Sequence, residues 1–244
     1  MLNKCRAISL KYFLCFYRRM MRPDIVKHHG IKIPIGPEVS DVIRTSIYWS
    51  AYEDHEVRTL KQVLKQTDSV LDIGAGIGFV SSFIAKEIGS DNVIVYEANP
   101  KLIPAIKNTF AHNNVSPALK NKILSNNNGS VPFYVCENFW SSSTVRRYDS
   151  DQKIEVETED INTVISSRNI TTIVMDIEGG EAELFSKIND YSTIERIIFE
   201  IHPHVIGQAA SMNVIKTLIE KGFFIDFNYV SSNVLFFEKI KEDL

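Results

Sequence analysis

Cysteine is scarce. The 244 residues contain only Cys5, Cys15 and Cys136, an odd number with no C-x-x-C pair. That argues against a disulfide framework or a cysteine-based zinc site and fits a reducing compartment. Long apolar runs are missing too, since nothing reaches the ~18 apolar residues of a membrane-spanning helix. The apolar patch near the start, AISLKYFLCFY, is broken by Lys11, followed by Arg18 and Arg19, and lacks the small-residue cleavage site of a signal peptide. Nor is there a surplus of positive charge. The net charge is −3, which gives no footing for general nucleic-acid binding. No internal repeat or low-complexity segment is present. What remains, 44% hydrophobic and 23% charged residues, is the composition of a globular domain with a sizeable core.

The average charge hides an asymmetry. Residues 1–22 hold Lys4, Arg6, Lys11, Arg18, Arg19 and Arg22 and no acid, leaving 21 basic against 30 acidic residues in the remainder, a net of −9. Residues 2–22 read as a short basic amphipathic helix carrying Leu10, Phe13, Leu14 and Tyr17. Two uses stay open: attachment to an anionic membrane surface, or packing on the domain or a partner. The chain therefore divides into a basic extension, 1–25, and one domain, 26–244. The expected location is the cytoplasm, with peripheral contact at the inner face of a membrane under the first use.

From residue 30 onward the pattern alternates. GIKIPIG reads as a short edge strand, because Pro34 bars a central position. YEDHEVRTLKQVLKQ is a helix with Leu60, Val63 and Leu64 on its buried stripe. SVLDI is strand one and GFVSSFIAKEI its helix. NVIVYE is strand two, and Pro100 opens a helix to about Asn113. KNKILS reads as strand three, NNNG as a turn and VPFYVC as an extra strand. The segment 137–151 is polar and irregular. EVETEDINTVI begins extended and turns helical. TTIVMDI is strand four, ERIIFEIH strand five, 213–221 a helix, and FFIDFNYV with NVLFFEKI a terminal hairpin. This order specifies an α/β fold: a doubly wound, Rossmann-like, seven-stranded and mainly parallel sheet with a C-terminal antiparallel hairpin and a short helical extension at the N-terminus. Ligands in such sheets sit beyond the carboxyl ends of the strands.

VLDIGAGIG, Val70 to Gly78, is the chemically informative stretch: a strand ending in an acid, three glycines at alternate positions, then a helix start with free N–H groups. A dinucleotide fingerprint needs G-x-G-x-x-G. Here the spacing is G-x-G-x-G, and Phe79 stands where the third glycine belongs. Asp72 would repel a pyrophosphate but suit an ammonium group, and S-adenosylmethionine offers an ammonium, a sulfonium and no phosphate. Glu97 ends strand two, nineteen residues after Gly78, where a carboxylate can accept hydrogen bonds from both ribose hydroxyls. Two rivals are a nicotinamide oxidoreductase, opposed by the glycine spacing, and a non-catalytic cofactor-binding module, opposed by the intact acids Asp72, Glu97, Asp176 and Glu178.

With these residues the sequence resembles the class I S-adenosylmethionine-dependent methyltransferases, and more narrowly the FkbM-type ones. The matching segments are YEDHE (Tyr52 to Glu56), VLDIGAGIG, YEANP (Tyr96 to Pro100), MDIEGGE (Met175 to Glu181) and FEIHP (Phe199 to Pro203). The D-x-E-G-x-E element discriminates, because the glycine loop alone fits many methyltransferases. Two departures stand out: Val174 where a lysine is frequent, and Gly76 where an asparagine is frequent. The first 25 residues are not covered. The resemblance implies O-methylation of a sugar or glycoconjugate, or of another small natural product, with S-adenosylmethionine as donor and S-adenosylhomocysteine as product. It places Gly74, Ala75, Gly76, Gly78, Ala98 and Asn99 with Asp72 and Glu97 at the donor.

Asp176 and Glu178 lie two apart at the end of strand four, and Glu200 and His202 two apart at the end of strand five. Residues i and i+2 of a strand share a face, so neighbouring strands would bring all four together at the methyl group. Asp176 orients donor or acceptor, or caps the following turn. Glu178 binds either substrate or is structural. His202 or a carboxylate accepts the hydroxyl proton. Glu181 reads as a helix-start acid favoured by the dipole. The same four residues could ligate a metal, but the resemblance does not require one and none is expected. Ser125 and Asn126 are placed to contact adenine or to form an Asn-rich turn. Of Glu53 and Glu56, one faces donor or acceptor. Trp140 and Ser141 to Ser143 lie in the loop expected to shape the acceptor pocket.

Overall fold

Short strands with apolar side chains on both faces build the central sheet. In the computed structural model, which describes residues 2–37, 39–136 and 151–240, the chain begins with α1 (Leu2–Met21), β1 (Ile25–His28), β2 (Ile31–Pro34), α2 (Asp41–Tyr48) and α3 (Asp54–Val63). It continues with β3 (Val70–Ile73), α4 (Phe79–Ile88), β4 (Val93–Tyr96), α5 (Ile103–Asn113), β5 (Ala118–Lys120), β6 (Ile123–Ser125), β7 (Gly129–Val135) and β8 (Gln152–Asp160). The last third holds α6 (Ile161–Arg168), β9 (Thr172–Met175), α7 (Glu181–Lys187), β10 (Arg196–Glu200), α8 (Pro203–Glu220), β11 (Phe223–Ile225) and β12 (Val234–Lys239).

Seven strands form the main sheet in the order β11-β12-β10-β9-β3-β4-β5. All neighbours from β10 to β5 are parallel, and β12 runs antiparallel to both β10 and β11. Strand parity then sorts the core. Val70, Val95, Val174, Ile198 and Phe236 face one layer with Leu60, Phe79, Phe83, Ile106 and Phe110 of α3, α4 and α5. Leu71, Ile94, Ile173, Ile197 and Phe237 face the other, with Ile161, Val164, Leu184, Phe185 and Leu218 of α6, α7 and α8. At the amino end of the sheet Arg196, 1% exposed, donates to Asp68, and Asp68 also accepts from the Lys65 N–H (2.8 Å) and the Thr171 hydroxyl (3.2 Å). Three donors thus hold the buried Asp68 carboxylate, which offsets part of its desolvation cost.

The placement of the third strand and the presence of α2 differ from the sequence reading. The third core strand is Ala118–Lys120, whereas Ile123–Ser125 pairs with β8 in a separate sheet of order β6-β8-β7. The reason lies in Asn121, whose amide donates to Glu97 O (2.8 Å) and Ala98 O (3.0 Å) and turns the chain out of the sheet after three residues. The strand around Pro34 is an edge strand, as expected, and pairs with β1 in a two-stranded sheet. Helix α2 was not anticipated; its N-cap is Ser40, whose Oγ accepts from the Ile43 N–H. Trp140 and Ser141 to Ser143 lie outside the described residues. Among those described, no helix is long and apolar enough to cross a membrane.

Candidate active site

A cleft of about 450 Å³ opens beyond the carboxyl ends of β3, β4, β9 and β10 and is roofed by β6 and β7 of the small sheet. Eight acidic residues line it (Glu53, Asp54, Glu56, Glu97, Asp176, Glu178, Glu183 and Glu200), against two lysines, Lys122 and Lys187, and His55. An apolar wall of Leu102, Ile123, Leu124 and Phe133 stands beside Ala98.

The loop after β3 forms the floor. Gly74 has φ +87°, and an added Cβ would lie 1.8 Å from the Asp176 carbonyl oxygen. Only glycine lets β3 and β9 end this close together. The Gly76 N–H donates to Glu97 Oε2 (3.1 Å) and the Asn99 N–H to Glu97 Oε1 (2.7 Å), so both oxygens of Glu97 are held from the backbone. Burial pushes this carboxyl up to about 7 even with those N–H groups favouring its charge. Tyr52 and Glu53 close over the loop, since a Cβ on Gly76 would meet the Tyr52 hydroxyl at 2.7 Å and Glu53 Oε1 at 3.3 Å. Glu53 adopts a left-handed conformation at the start of α3, which aims Glu53 and Glu56 into the cleft. Burial raises both, Glu56 to about 7 and Glu53 well above the carboxylate range, where Glu56 and Asp72 add to the effect.

Several residues expected at the donor do not line the cleft. Asp72 does not line the cleft; it is 3% exposed and accepts a short hydrogen bond from the Ser81 hydroxyl of α4. Strand parity explains this, because Asp72 shares the face of Val70 and therefore points under α4 rather than out of the strand end. Burial pushes its carboxyl up to about 6, with the Ser81 bond opposing. Ala75, Gly78, Asn99 and Asn126 are also absent from the lining. Gly78 instead allows close packing on α5, a Cβ there lying 3.1 Å from Ile106 Cγ2. Asn99 holds Glu97 and caps the following turn by accepting from the Lys101 N–H. Asn126 is exposed, whereas Ser125 lines the cleft at the end of β6 and accepts from Lys187 Nζ (3.1 Å).

The ends of β9 and β10, which are parallel neighbours, bring Asp176, Glu178, Glu200 and His202 together. His202 Nε2 lies 3.6 Å from Asp176 Oδ1, 3.6 Å from Glu178 Oε1 and 3.9 Å from Glu200 Oε1. The three acids line the cleft, but His202, 3% exposed, lies behind them. Its Nδ1–H donates to Glu181 Oε1 (2.6 Å), and the same oxygen accepts from the Gly179 N–H (2.9 Å). Glu181 is fully buried and is an anchor for His202 rather than a simple helix-start acid. Its partner lies 21 residues away in sequence, beyond the reach of any local signal. Burial disfavours the imidazolium, but the Glu181 bond and the charges of Glu178, Glu181 and Glu200 outweigh it and raise His202. Asp176 is driven well above the carboxylate range by burial and by Glu200, Glu178, Glu53 and Glu56, and its Oδ1 has no hydrogen-bond partner.

Asp176, Glu178 and His202 place ligand atoms within 4.8 Å of one another, close enough to share a divalent ion, as do His28, His29 and Asp54. In the second group, His29 and Asp54 already have partners and only His28 Nε2 has no hydrogen bond. Asp54 Oδ1 accepts from His29 Nε2 (2.7 Å), Asp54 Oδ2 from Arg58 (2.7 Å), and Lys61 donates to His29 Nδ1 (2.7 Å). These cations disfavour a further positive charge, and the group reads as a clamp between β1 and α3.

The model of the methyltransferase FkbM domain matches residues 72–230. No curated protein matches the sequence. Among solved structures, the chain is similar to a ribosomal protein L11 methylase from Lactobacillus delbrueckii subsp. bulgaricus, at 13% identity, TM-score 0.47, covering 77% of this chain and 78% of that one. A Pyrococcus abyssi tRNA (uracil-54, C5)-methyltransferase in complex with S-adenosyl-L-homocysteine gives 15% identity and TM-score 0.48 over 88% of this chain and 44% of that one. M. jannaschii TYW2 in complex with AdoMet gives 14% identity and TM-score 0.43 over 88% and 86%.

Proposed function

The chain belongs to the FkbM methyltransferase family and is an S-adenosylmethionine-dependent methyltransferase; from that premise we propose that it methylates a hydroxyl of a sugar in a polysaccharide, glycolipid or related glycoconjugate, with Asp176 taking the proton. The observation that carries the reading is the acid-lined cleft around the glycine loop. A donor bearing an ammonium and a sulfonium gains from eight acidic neighbours, and a phosphate-bearing cofactor does not. In this reading Glu97 receives the ribose hydroxyls, the purine lies against Ala98, Leu102 and Phe133 with Ser125 at its edge, and Glu53 and Glu56 face the amino-acid end. A polyol acceptor suits the opposite rim, where Glu178 and Glu200 can accept hydrogen bonds from hydroxyls next to the reacting one.

The chemistry is a displacement at an already activated methyl group. Alignment of the nucleophile contributes up to about 7–11 kcal/mol in favourable cases. Asp176 borders the glycine loop, lines the cleft and has an unpartnered Oδ1. Burial and the neighbouring acids raise its affinity for protons in the free protein, and an arriving sulfonium works in the opposite direction, favouring the ionised, basic form. Donor binding thereby arms the proton acceptor. His202 acts through Asp176 as a positioning residue fixed by Glu181.

This coupling has a thermodynamic signature. Glu97 and Glu56, both near 7, carry protons in part of the free protein at neutral pH, and Asp176 is shifted in the same direction. A cationic donor lowers each affinity, so donor binding releases protons. Calorimetry at neutral pH in two buffers of different ionisation enthalpy is expected to show binding with net proton release, diminished in Glu97→Gln. Absence of binding at millimolar donor, or net proton uptake, overturns the reading.

The acceptor is tested on a panel of glycans and glycolipids with labelled donor. The expected product is a methyl ether, stable to mild base, located on a sugar by mass spectrometry, and turnover is expected to survive prolonged dialysis against a chelator. A base-labile ester or methylation at nitrogen would refute sugar O-methylation. Loss of turnover on chelation would assign Asp176, Glu178 and His202 to a metal instead.

A further inference from the structure

Helix α1 is attached to the body by a narrow seam. Cys15 is buried at 2% exposure, the Arg18 guanidinium donates to Tyr48 O (2.9 Å) and Ser50 Oγ (2.8 Å), and the Tyr12 ring packs edge-on against Trp49 at 5.0 Å. The rest of the helix carries apolar residues outward. Phe13, Phe16, Tyr17, Met20 and Met21 are each more than half exposed. At 3.6 residues per turn the positions 13, 16, 17, 20 and 21 fall on one continuous arc. Seven of the fourteen large hydrophobic side chains exposed among the described residues lie within Tyr12–Met21. Exposed hydrophobics on a soluble monomer are normally scattered singly, and a contiguous set marks an interaction face.

The charge of the same segment says what covers it. Residues 1–22 carry six basic residues and no acid, on a chain whose remainder is net −9. Arg18 is used by the seam; Arg19 and Arg22 are exposed beside the apolar arc. Aromatic and methionine side chains on one arc of a basic helix suit the boundary between headgroups and acyl chains. The acidic body would be repelled from the same surface, which leaves α1 as the part that can approach it. We infer that α1 is a docking helix for an anionic bilayer surface, lying in the interface without crossing it. Its position has a consequence for the cleft. Arg18 grips the end of α2, and Ser46 of α2 lines the cleft, so docking through α1 holds the cleft one helix away from the bilayer. Resting on the proposed reading of the acceptor, this favours a lipid-linked glycan; the docking itself does not depend on that reading.

The test is co-sedimentation of the full chain with vesicles of phosphatidylcholine alone or mixed with phosphatidylglycerol, at low and high salt. Binding is expected only to the mixed vesicles and is expected to weaken with salt. A Phe13→Ser/Phe16→Ser/Met20→Ser variant, checked for folding by circular dichroism, is expected to lose about tenfold in partitioning for each phenylalanine removed. Failure to bind the mixed vesicles overturns the inference. So does equal binding by the variant, or a dimer in sedimentation equilibrium that the variant abolishes while vesicle binding is nil. Donor calorimetry on the same preparations separates the two readings: vesicle binding without donor binding leaves docking standing and removes the methyl-transfer chemistry, and the converse result does the reverse.

Discussion

Replacing Asp176 by asparagine is expected to lower methyl transfer by about 10²–10⁴-fold, the range lost with a general base. The measurement is a single-turnover rate with the donor already bound, so that a change in donor affinity does not enter. A companion substitution decides where the proton goes. Gln at position 181 can still accept from His202 Nδ1–H and the Gly179 N–H, so geometry is kept and only the negative charge is removed. Without that charge His202 holds a proton less tightly, so positive charge 3.6 Å from Asp176 Oδ1 is less favoured. The proton affinity of Asp176 then rises. Activity that depends on ionised Asp176 grows with pH, so the acidic limb of the rate profile at saturating donor moves to higher pH in Glu181→Gln. If His202 Nε2 were the acceptor, the same substitution would lower its proton affinity and move the limb to lower pH. The direction of the shift thus assigns the base, and an unmoved limb would remove both groups from the titration.

Gly74→Ala is expected to abolish donor binding, and Gly222→Ala is expected to leave it intact. The two glycines have nearly equal φ, +87° and +85°, so the backbone penalty of roughly 1–2 kcal/mol is common to both. Around Gly222 nothing lies within 4 Å of an added Cβ. At Gly74 the Cβ would meet the Asp176 carbonyl oxygen at 1.8 Å and its carbon at 2.8 Å, and both are backbone atoms that no rotamer can move aside. The overpacking adds about 1–3 kcal/mol, for a total of roughly 2–5 kcal/mol that the ends of β3 and β9 must absorb by separating. That displaces the glycine loop and Asp176 together. Urea unfolding and donor calorimetry on the two variants check the contrast. Wild-type donor affinity in Gly74→Ala would show that the close approach of the two strands does not shape the donor site.

Much of the fold was legible because its signals are local. Val70 to Ile73, Val93 to Tyr96, Thr172 to Met175 and Arg196 to Glu200 are short apolar runs ended by acids or glycines, and each is a strand of the parallel sheet. The third core strand is hard to place because Ala118 to Lys120 and Ile123 to Ser125 each hold two apolar residues in three, so the apolar pattern does not choose between them. A side-chain amide at Asn121, not hydrophobicity, decides which of them joins the sheet. The site divides in the same way. The glycine spacing, Glu97 and the paired acids of MDIEGGE and FEIHP announce a cationic nucleoside donor, since residue type and spacing fix which charges meet at a strand end.

Periodicity and residue chemistry, which act over a few positions, were enough to read the sheet class and the donor, and to bring four titratable groups to the ends of two neighbouring strands. They could not assign depth. Asp72 points under α4 to Ser81, and His202 lies behind the acids it was expected to stand beside, held by a buried Glu181. Which of several acids faces solvent, and which is shielded by a neighbour from a distant helix, depends on how α4 and α7 pack on the sheet. Only tertiary structure settles that packing. It separates the residues that line the cleft from those that position them, and it leaves the outer arc of α1 uncovered.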